Sequence, residues 1–257
     1  MRQAALALAI AFLAACSPAS SQPSATAAAT ASDSATPRPQ AAVPVPLVSE
    51  SPGAPTPTPS PLATIRLKLD ANWTAVDRSA DGFAIGLPPR WRDIDLDPQT
   101  LDASLRSIDD PQYQALLREQ TSSLLTSGVK VFAFDFTPSN VSSTGFTTNL
   151  NVILEALPYT VSLDVYEQLA LAQLSQLDAV SKPVAHQRVT LPAGTFTKLT
   201  YRITLTTASG QSTSSITQYA IVSGLSAYVL TFTTTPAQAT TYASTFTKIA
   251  STFTLAK

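Results

Sequence analysis

The sequence of 257 residues is poor in the residue types that build metal sites, disulfides and charged surfaces. It contains one cysteine and one histidine, which excludes an internal disulfide and most zinc sites with several Cys and His ligands. Charged residues make up only 13%, and the formal net charge is −1. Nucleic-acid binders need clustered Lys and Arg, so no nucleic-acid partner is expected. With eight glycines in the whole chain, no phosphate-cradling glycine loop occurs.

The first 15 residues have the pattern of a secretory signal. Arg2 precedes an apolar run that is too short to span a bilayer comfortably. The run ends in Leu13-Ala14-Ala15-Cys16, which resembles the lipobox of bacterial lipoproteins. That resemblance implies cleavage before Cys16 and acylation of its thiol and of its new amino group. Several acyl chains attach a protein firmly to a membrane, so residues 1–15 are predicted to be a lipoprotein signal peptide and Cys16 the lipidation site.

Residues 16–62 are predicted to be a disordered linker that begins at the lipidated cysteine. This segment holds 11 of the 20 prolines and no aromatic residue. It cannot bury enough apolar surface to offset chain entropy, and its Pro, Ser, Thr and Ala content favours extended, polyproline-like conformers. The linker would tether a folded domain to the membrane and hold it away from the surface.

Residues 63–257 contain 18 of the 19 aromatic residues and are predicted to form one globular domain. Apolar residues alternate with a period of two in several stretches, which predicts strands. These stretches are 150–155, 199–205 and 228–232. A further strand is predicted at 131–136, which is apolar on both faces at first and is therefore expected to lie centrally in the sheet. Hairpin turns are expected at Ser209-Gly210 and at Ser223-Gly224, so the strands should pair antiparallel.

Two helices have clear signals, and a third helical region is expected within 98–126. In the first helix Ser162 is the predicted N-cap, and an apolar stripe runs from Leu163 to Leu177. In the second, Thr235 to Gln238 form a predicted capping box with proline at the first helical position. An antiparallel β-sheet flanked by helices, preceded by the disordered linker, places the domain in the α+β class.

Three acidic residues are the candidates for a metal site. Asp93, Asp95 and Asp97 recur at every second position, and three hard oxygen donors suit calcium. An EF-hand needs Gly at its sixth position and Glu at its twelfth, where this chain has Pro98 and Ser104. The other interpretation is the solvated face of a strand. No metal site is therefore predicted, and these aspartates remain the weak candidates.

Residues for catalysis or ligand binding are sparse. His186 is the single imidazole, but no Gly-x-Ser-x-Gly nucleophile motif accompanies it, so a structural or surface histidine is expected. A paired-carboxylate hydrolase has no local motif either, although about 15 acids lie in the domain. Trp73, Phe83 and Trp91 are candidates for lining a ligand cavity, but aromatic residues at such spacing more often belong to the core.

The order of these features resembles PsbP-like domains, including the DcrB- and LpqN-type bacterial lipoproteins. The run Gly82–Trp91 is similar to their opening strand and Pro-x-x-Trp. The residues Asn149–Ile153, followed by Ser162–Tyr166, resemble their passage from strand to helix. Further similar segments lie at Leu191–Gly194, around Tyr201, at Ala227–Thr233 and at Phe246–Phe253. The resemblance implies an αβα sandwich and a non-enzymatic module, with no catalytic residues to carry over.

These observations predict a membrane-anchored, extracytoplasmic lipoprotein whose PsbP-like domain is a non-catalytic protein-binding or envelope-assembly module. The expected partners are the membrane, through the lipid anchor, and a protein; no cofactor is expected. The alternative is a small-molecule or lipid carrier in the cell envelope, and a hydrolase is the less favoured third possibility. Depending on the host, the anchor would lie in the cell membrane or in the outer membrane.

Overall fold

A computed structural model describes residues 65–95, 128–137, 146–207 and 210–256 of the chain. The predicted signal peptide at 1–15, the linker at 16–62 and the helical region at 98–126 lie outside these residues, as does the lipidation site Cys16. Of the predicted turn at Ser209-Gly210, the structure describes only the pairing of Thr207 with Gly210 on either side. The domain itself is described over most of its length.

Seven strands form a large antiparallel sheet in the order β3-β4-β5-β9-β8-β7-β6. Their bounds are β3 (Trp91–Asp93), β4 (Val129–Asp135), β5 (Asn149–Ala156), β6 (Ala185–Leu191), β7 (Gly194–Thr207), β8 (Gly210–Ser223) and β9 (Ser226–Thr234). The stretches predicted as strands lie in this sheet, apart from Phe136, which follows the end of β4. Ser223 pairs with Ser226, and Gly224 takes a φ of +60° between them, so the predicted turn at this position is confirmed.

A second sheet of three strands was not predicted. It has the order β1-β2-β10, with β1 (Thr74–Arg78), β2 (Phe83–Leu87) and β10 (Thr254–Leu255), and both pairings are antiparallel. Phe253, just before β10, stacks on Phe83 of β2 at a centroid distance of 5.4 Å. The rings of Phe253 and Tyr228 of β9 are 5.7 Å apart, so this phenylalanine joins the small sheet to the large one.

The two helices cover opposite faces of the large sheet. Helix α1 (Leu163–Ser175) buries Tyr166, Ala170 and Leu174 against one face. Helix α2 (Ala239–Thr252) lies with the small sheet on the other face, where Phe246 and Ile249 join the largest core cluster. Because both faces are covered, the predicted α+β fold with a helix-flanked antiparallel sheet is confirmed.

The start of each helix tests the capping predictions. The Ser162 hydroxyl accepts a hydrogen bond from the Val165 N–H at 3.2 Å, so the predicted N-cap of α1 is confirmed. The predicted start of α2 is wrong: Pro236 lies in a turn, and the helix begins three residues later at Ala239. The Thr235 hydroxyl donates to the side chain of Gln238, and the Gln238 N–H to the carbonyl of Thr235, which closes the turn before the helix.

Candidate functional site

The three aspartates proposed as metal ligands are not brought together as a ligand set by the described structure. Asp93 is the last residue of β3, Asp95 follows the strand, and Asp97 lies outside the described residues. The Asp93 carboxylate accepts from the Arg78 guanidinium at 2.6 Å and from the Phe132 N–H at 3.2 Å. Within the described ranges, no group of three Asp, Glu, His or Cys side chains is placed to hold a metal ion.

Asp93 belongs to an ionic contact between the two sheets. Arg78, at the end of β1, also donates from Nε to the carbonyl of Lys130 in β4 at 2.9 Å. The ammonium of Lys130 lies 2.7 Å from the carboxylate of Asp81. One cation–carboxylate pair therefore links β1 to β3, and the other links the connection between β1 and β2 to β4. Sequence reasoning assigned Asp93 a possible ligand role because it could not show that Arg78 lies beside it.

This contact gives the stability of the protein a specific pH dependence. Burial raises the pKa of Asp93 from 3.8 to about 6, against the opposing effects of Arg78 and the Phe132 N–H. The folded protein therefore holds a proton that the unfolded chain releases near pH 4. As the pH rises from about 4 to about 6, Asp93 should lower the free energy of unfolding by about 3 kcal/mol, with no further change above that range.

The substitution Asp93→Asn removes this contribution. Urea unfolding of both proteins at several pH values between 4 and 7 measures it, because all other carboxylates contribute equally to the two curves. The wild-type free energy of unfolding should fall relative to that of the variant as the pH rises. Parallel curves for the two proteins would contradict the assignment.

His186 lies on β6 in an ion-paired cluster with α1. Its Nδ1 is 2.7 Å from Oε1 of Glu167, which is its sole side-chain hydrogen-bond partner among the described residues. Arg188, two residues further along β6, lies 2.5 Å from a carboxylate oxygen of Asp164 and 2.5 Å from one of Glu167. A histidine oriented by a glutamate is half of a hydrolytic triad. Among the described residues, no hydroxyl or thiol forms a hydrogen bond with His186. The ion pairs of the cluster attach α1 to β6.

The aromatic residues considered for a ligand cavity lie in the core. Phe83 and Trp91 are buried in the same cluster, and Trp73 packs against it while partly buried. Phe83 also makes an edge-to-face contact with Tyr228 at 5.8 Å. These positions support the interpretation as core residues.

An exposed group of large apolar side chains was missed by sequence reasoning. Tyr159 (66% exposed), Val165 (45%), Leu169 (39%) and Leu225 (57%) are its members, and we call them the exposed apolar patch. Val165 and Leu169 are four residues apart on α1, away from the buried stripe, so this spacing was the available sequence signal.

Two hydrogen bonds bring the segments that carry the exposed apolar patch to one end of the domain. The Leu157 N–H donates to the carbonyl of Leu225 at 2.8 Å, which holds the β8–β9 turn beside the β5–α1 connection that contains Tyr159. The Tyr166 hydroxyl donates to Glu155 at 2.8 Å, which holds the first turn of α1 against the end of β5. A contiguous group of exposed apolar side chains is typical of a binding surface, whereas scattered ones are ordinary.

Neither helix in the described part of the chain has the length and apolarity needed to cross a membrane.

No protein-family model matches the sequence, and a search of curated proteins returned no similar sequence. Among solved structures, the chain is similar to cyanobacterial PsbP from Synechocystis sp. PCC 6803, with 16% identity, a TM-score of 0.44, and coverage of 76% of this chain and 99% of that one. It is also similar to LpqN of Mycobacterium tuberculosis, described as involved in cell envelope biogenesis, with 13% identity, a TM-score of 0.43, and coverage of 72% of this chain and 91% of that one. A third similar structure is the Ran-binding protein Mog1p of Saccharomyces cerevisiae, with 15% identity, a TM-score of 0.38, and coverage of 72% of this chain and 95% of that one.

Proposed function

We propose that this protein is a lipid-anchored, extracytoplasmic lipoprotein whose folded domain binds a protein partner in the cell envelope without catalysing a reaction. The observation that carries the proposal is the single cysteine of the chain, Cys16, placed directly after Leu13-Ala14-Ala15. The proline-rich residues 17–62 then supply the distance between the anchor and the domain. An envelope role is in keeping with the description of LpqN.

The exposed apolar patch is the surface proposed to bind the partner. Tyrosine is enriched at the centres of protein interfaces because its ring is large and its hydroxyl tolerates water. Tyr159 and Leu225 project from connections that Leu157 holds together through its backbone. A partner covering these side chains would bury apolar surface worth about 25 cal/mol per Å².

A photo-crosslinking residue placed at Tyr159 of the full-length protein tests this surface in intact cells. The matched control carries the same residue at Thr241, which is exposed on α2, on the opposite face of the large sheet. We expect a specific crosslinked protein at position 159 that is absent at position 241.

Two substitutions distinguish docking from chance capture. Leu225→Ser and Val165→Ser change exposed side chains, so they should leave the unfolding curve nearly unchanged. They should nevertheless reduce the crosslink formed at position 159 severalfold. Equal capture at positions 159 and 241, or capture that both substitutions leave intact, would contradict a partner at the exposed apolar patch.

A further inference from the structure

The near-neutral net charge of the chain conceals an uneven distribution of its charged residues. Residues 179–257 contain six Lys and Arg residues and no Asp or Glu, although the whole chain has 17 acidic residues. This range includes strands β6 to β10 and helix α2. A charge asymmetry of this kind within one domain is typical of a protein that meets an anionic surface.

Two of these cations lie on one face of β7, on the side of the large sheet where α2 packs. Phe196 of β7 belongs to the core cluster that α2 joins, and every second residue of a strand shares one face. Lys198, Thr200 and Arg202 therefore lie on this face, whereas the residues between them are buried on the α1 side. Thr200 and Arg202 are exposed, so neither α2 nor the small sheet covers this part of the face.

Contacts across the large sheet connect β7 to α2. Lys198 lies opposite Tyr219 of β8, and its ammonium is 5.4 Å from the centre of the Tyr219 ring. The hydroxyl of Tyr219 is hydrogen-bonded to the hydroxyl of Thr247 in α2 at 3.1 Å. Lys248, the next residue of α2, is exposed. A third cation is therefore carried by the helix that borders this part of the sheet.

We call Lys198, Arg202 and Lys248 the cationic face. Within the described ranges, none of the three forms an ion pair with a carboxylate. The Ser181 N–H donates to the carbonyl of Arg202 at 2.9 Å, so the exposed Lys182 lies at the border of the cationic face. The charge of these side chains is consequently available to an anionic partner.

Hydroxyl groups accompany the cations. Thr200, between Lys198 and Arg202, lies opposite Thr217 of β8, and Thr247 is exposed beside Lys248. Phosphodiester oxygens accept hydrogen bonds from hydroxyl, ammonium and guanidinium groups. None of the large exposed apolar side chains found among the described residues lies here. This surface therefore suits charged headgroups and not acyl chains.

We infer that the cationic face docks the domain on the anionic headgroups of a phospholipid membrane. The inference rests on the proposed lipid anchor, which would keep the domain within reach of the headgroups, and it adds an orientation. A flexible tether sets the greatest distance from the membrane and also lets the domain return to the surface. Each Lys or Arg near an anionic membrane favours binding about fivefold.

This orientation has a consequence for the exposed apolar patch. Helix α1 covers the opposite face of the large sheet, so its exposed side chains Val165 and Leu169 would point away from the membrane. Its carboxylates, Asp164 and Glu167, lie on that side as well and pair with Arg188. Docking would therefore leave α1 accessible to a protein partner.

The test uses the full-length protein reconstituted in vesicles of phosphatidylcholine, with or without about 30% phosphatidylglycerol, that contain a lipid with a quencher on its headgroup. A fluorescent residue replaces Thr200 on the cationic face or, as the matched position, Gln168, which is exposed on α1. Quenching should increase in the anionic vesicles at position 200 and not at position 168. Raising sodium chloride from about 0.1 M to about 1 M should abolish the difference, because the screening length falls from about 10 Å to about 3 Å.

The double substitution Lys198→Gln with Arg202→Gln removes two cations of the cationic face. It should lower the ratio of docked to undocked domain about 25-fold and leave the unfolding temperature nearly unchanged. The control, Arg90→Gln with Arg92→Gln, removes the same charge from exposed positions at β3, the opposite edge of the large sheet. This control should dock like the wild type.

Equal quenching at positions 200 and 168, or in neutral and anionic vesicles, would overturn the inference, as would a wild-type response from the variant lacking Lys198 and Arg202. A response at position 200 to soluble polyglutamate but not to phosphatidylglycerol would assign the face to an acidic protein and overturn the lipid assignment. Flotation with neutral vesicles measures the lipid anchor separately, since acyl chains insert without anionic lipid. A protein that floats only with anionic vesicles would lack the anchor and still support the cationic face.

Discussion

Replacing Phe253 by alanine should lower the free energy of unfolding by about 3–5 kcal/mol, the range for removing a fully buried phenylalanine ring. Phe253 is fully buried between the two sheets. Its ring stacks on Phe83, meets Phe196 edge-on at 6.1 Å and lies 5.7 Å from Tyr228. The loss is a large fraction of the 5–15 kcal/mol by which a domain is typically stable.

Phe136→Ala is the matched control, because it removes the same ring from a partly buried position. Phe136 contacts Phe134 at 6.4 Å and lies beneath the guanidinium of Arg92 at 5.4 Å. Phe136→Ala should lower the free energy of unfolding by about 1 kcal/mol. Urea unfolding of the purified proteins measures both values. Similar losses for Phe253→Ala and Phe136→Ala would contradict the role of Phe253 in joining the sheets.

Replacing Asp135 by alanine should also cost about 3–5 kcal/mol, because it removes a buried charged acceptor and leaves its donors unpaired. Asp135, the last residue of β4, is almost fully buried. One carboxylate oxygen accepts from the N–H and the hydroxyl of Thr137 at 2.9 and 2.6 Å. The other accepts from the hydroxyl of Tyr242 in α2. Burial and the neighbouring carboxylate raise the pKa of Tyr242, so its hydroxyl remains a donor at physiological pH.

A double-mutant cycle with Tyr242→Phe isolates the link between β4 and α2. Tyr242→Phe alone should cost about 1.5–3 kcal/mol, the range for a hydrogen bond to a charged group. The two substitutions together should cost at least 1 kcal/mol less than the sum of the single losses. Asp77→Ala is the control, since Asp77 is an exposed carboxylate that accepts from the Ser79 N–H, and about 1 kcal/mol or less is expected there. Additive losses would show that the hydrogen bond contributes little.

The elements predicted correctly are those with a long periodic pattern. Several apolar residues recur at a constant spacing in strands β5, β7 and β9 and in both helices. Ser162 is followed by a stripe of buried residues. Strand β10 has only two residues, so no periodic pattern could indicate it, and the small sheet was missed with it. The start of α2 was misplaced because Thr235 and Gln238 bond within a turn that precedes the helix.

The candidate sites depend on contacts between distant segments, which a single sequence does not show. Leu150 and Val152 are apolar residues of the period-two stretch 150–155, and they lie in the core. The alternating residues Asn149 and Asn151 have the pattern of a solvated face, yet they are buried because the large sheet is covered on both sides. The exposed apolar patch likewise depends on the hydrogen bond between Leu157 and Leu225, which are 68 residues apart in the chain.

Mass spectrometry of the N-terminal peptide of the mature protein, purified from a membrane fraction, tests the lipid anchor most directly. The account predicts a mature chain that begins at Cys16 and carries acyl groups on its thiol and amino group. The Cys16→Ser variant should lack them and should leave the membrane fraction. A wild-type chain that keeps residues 1–15, or one cleaved to an unmodified N-terminus, would contradict the central claim that this domain is tethered to a membrane by lipid.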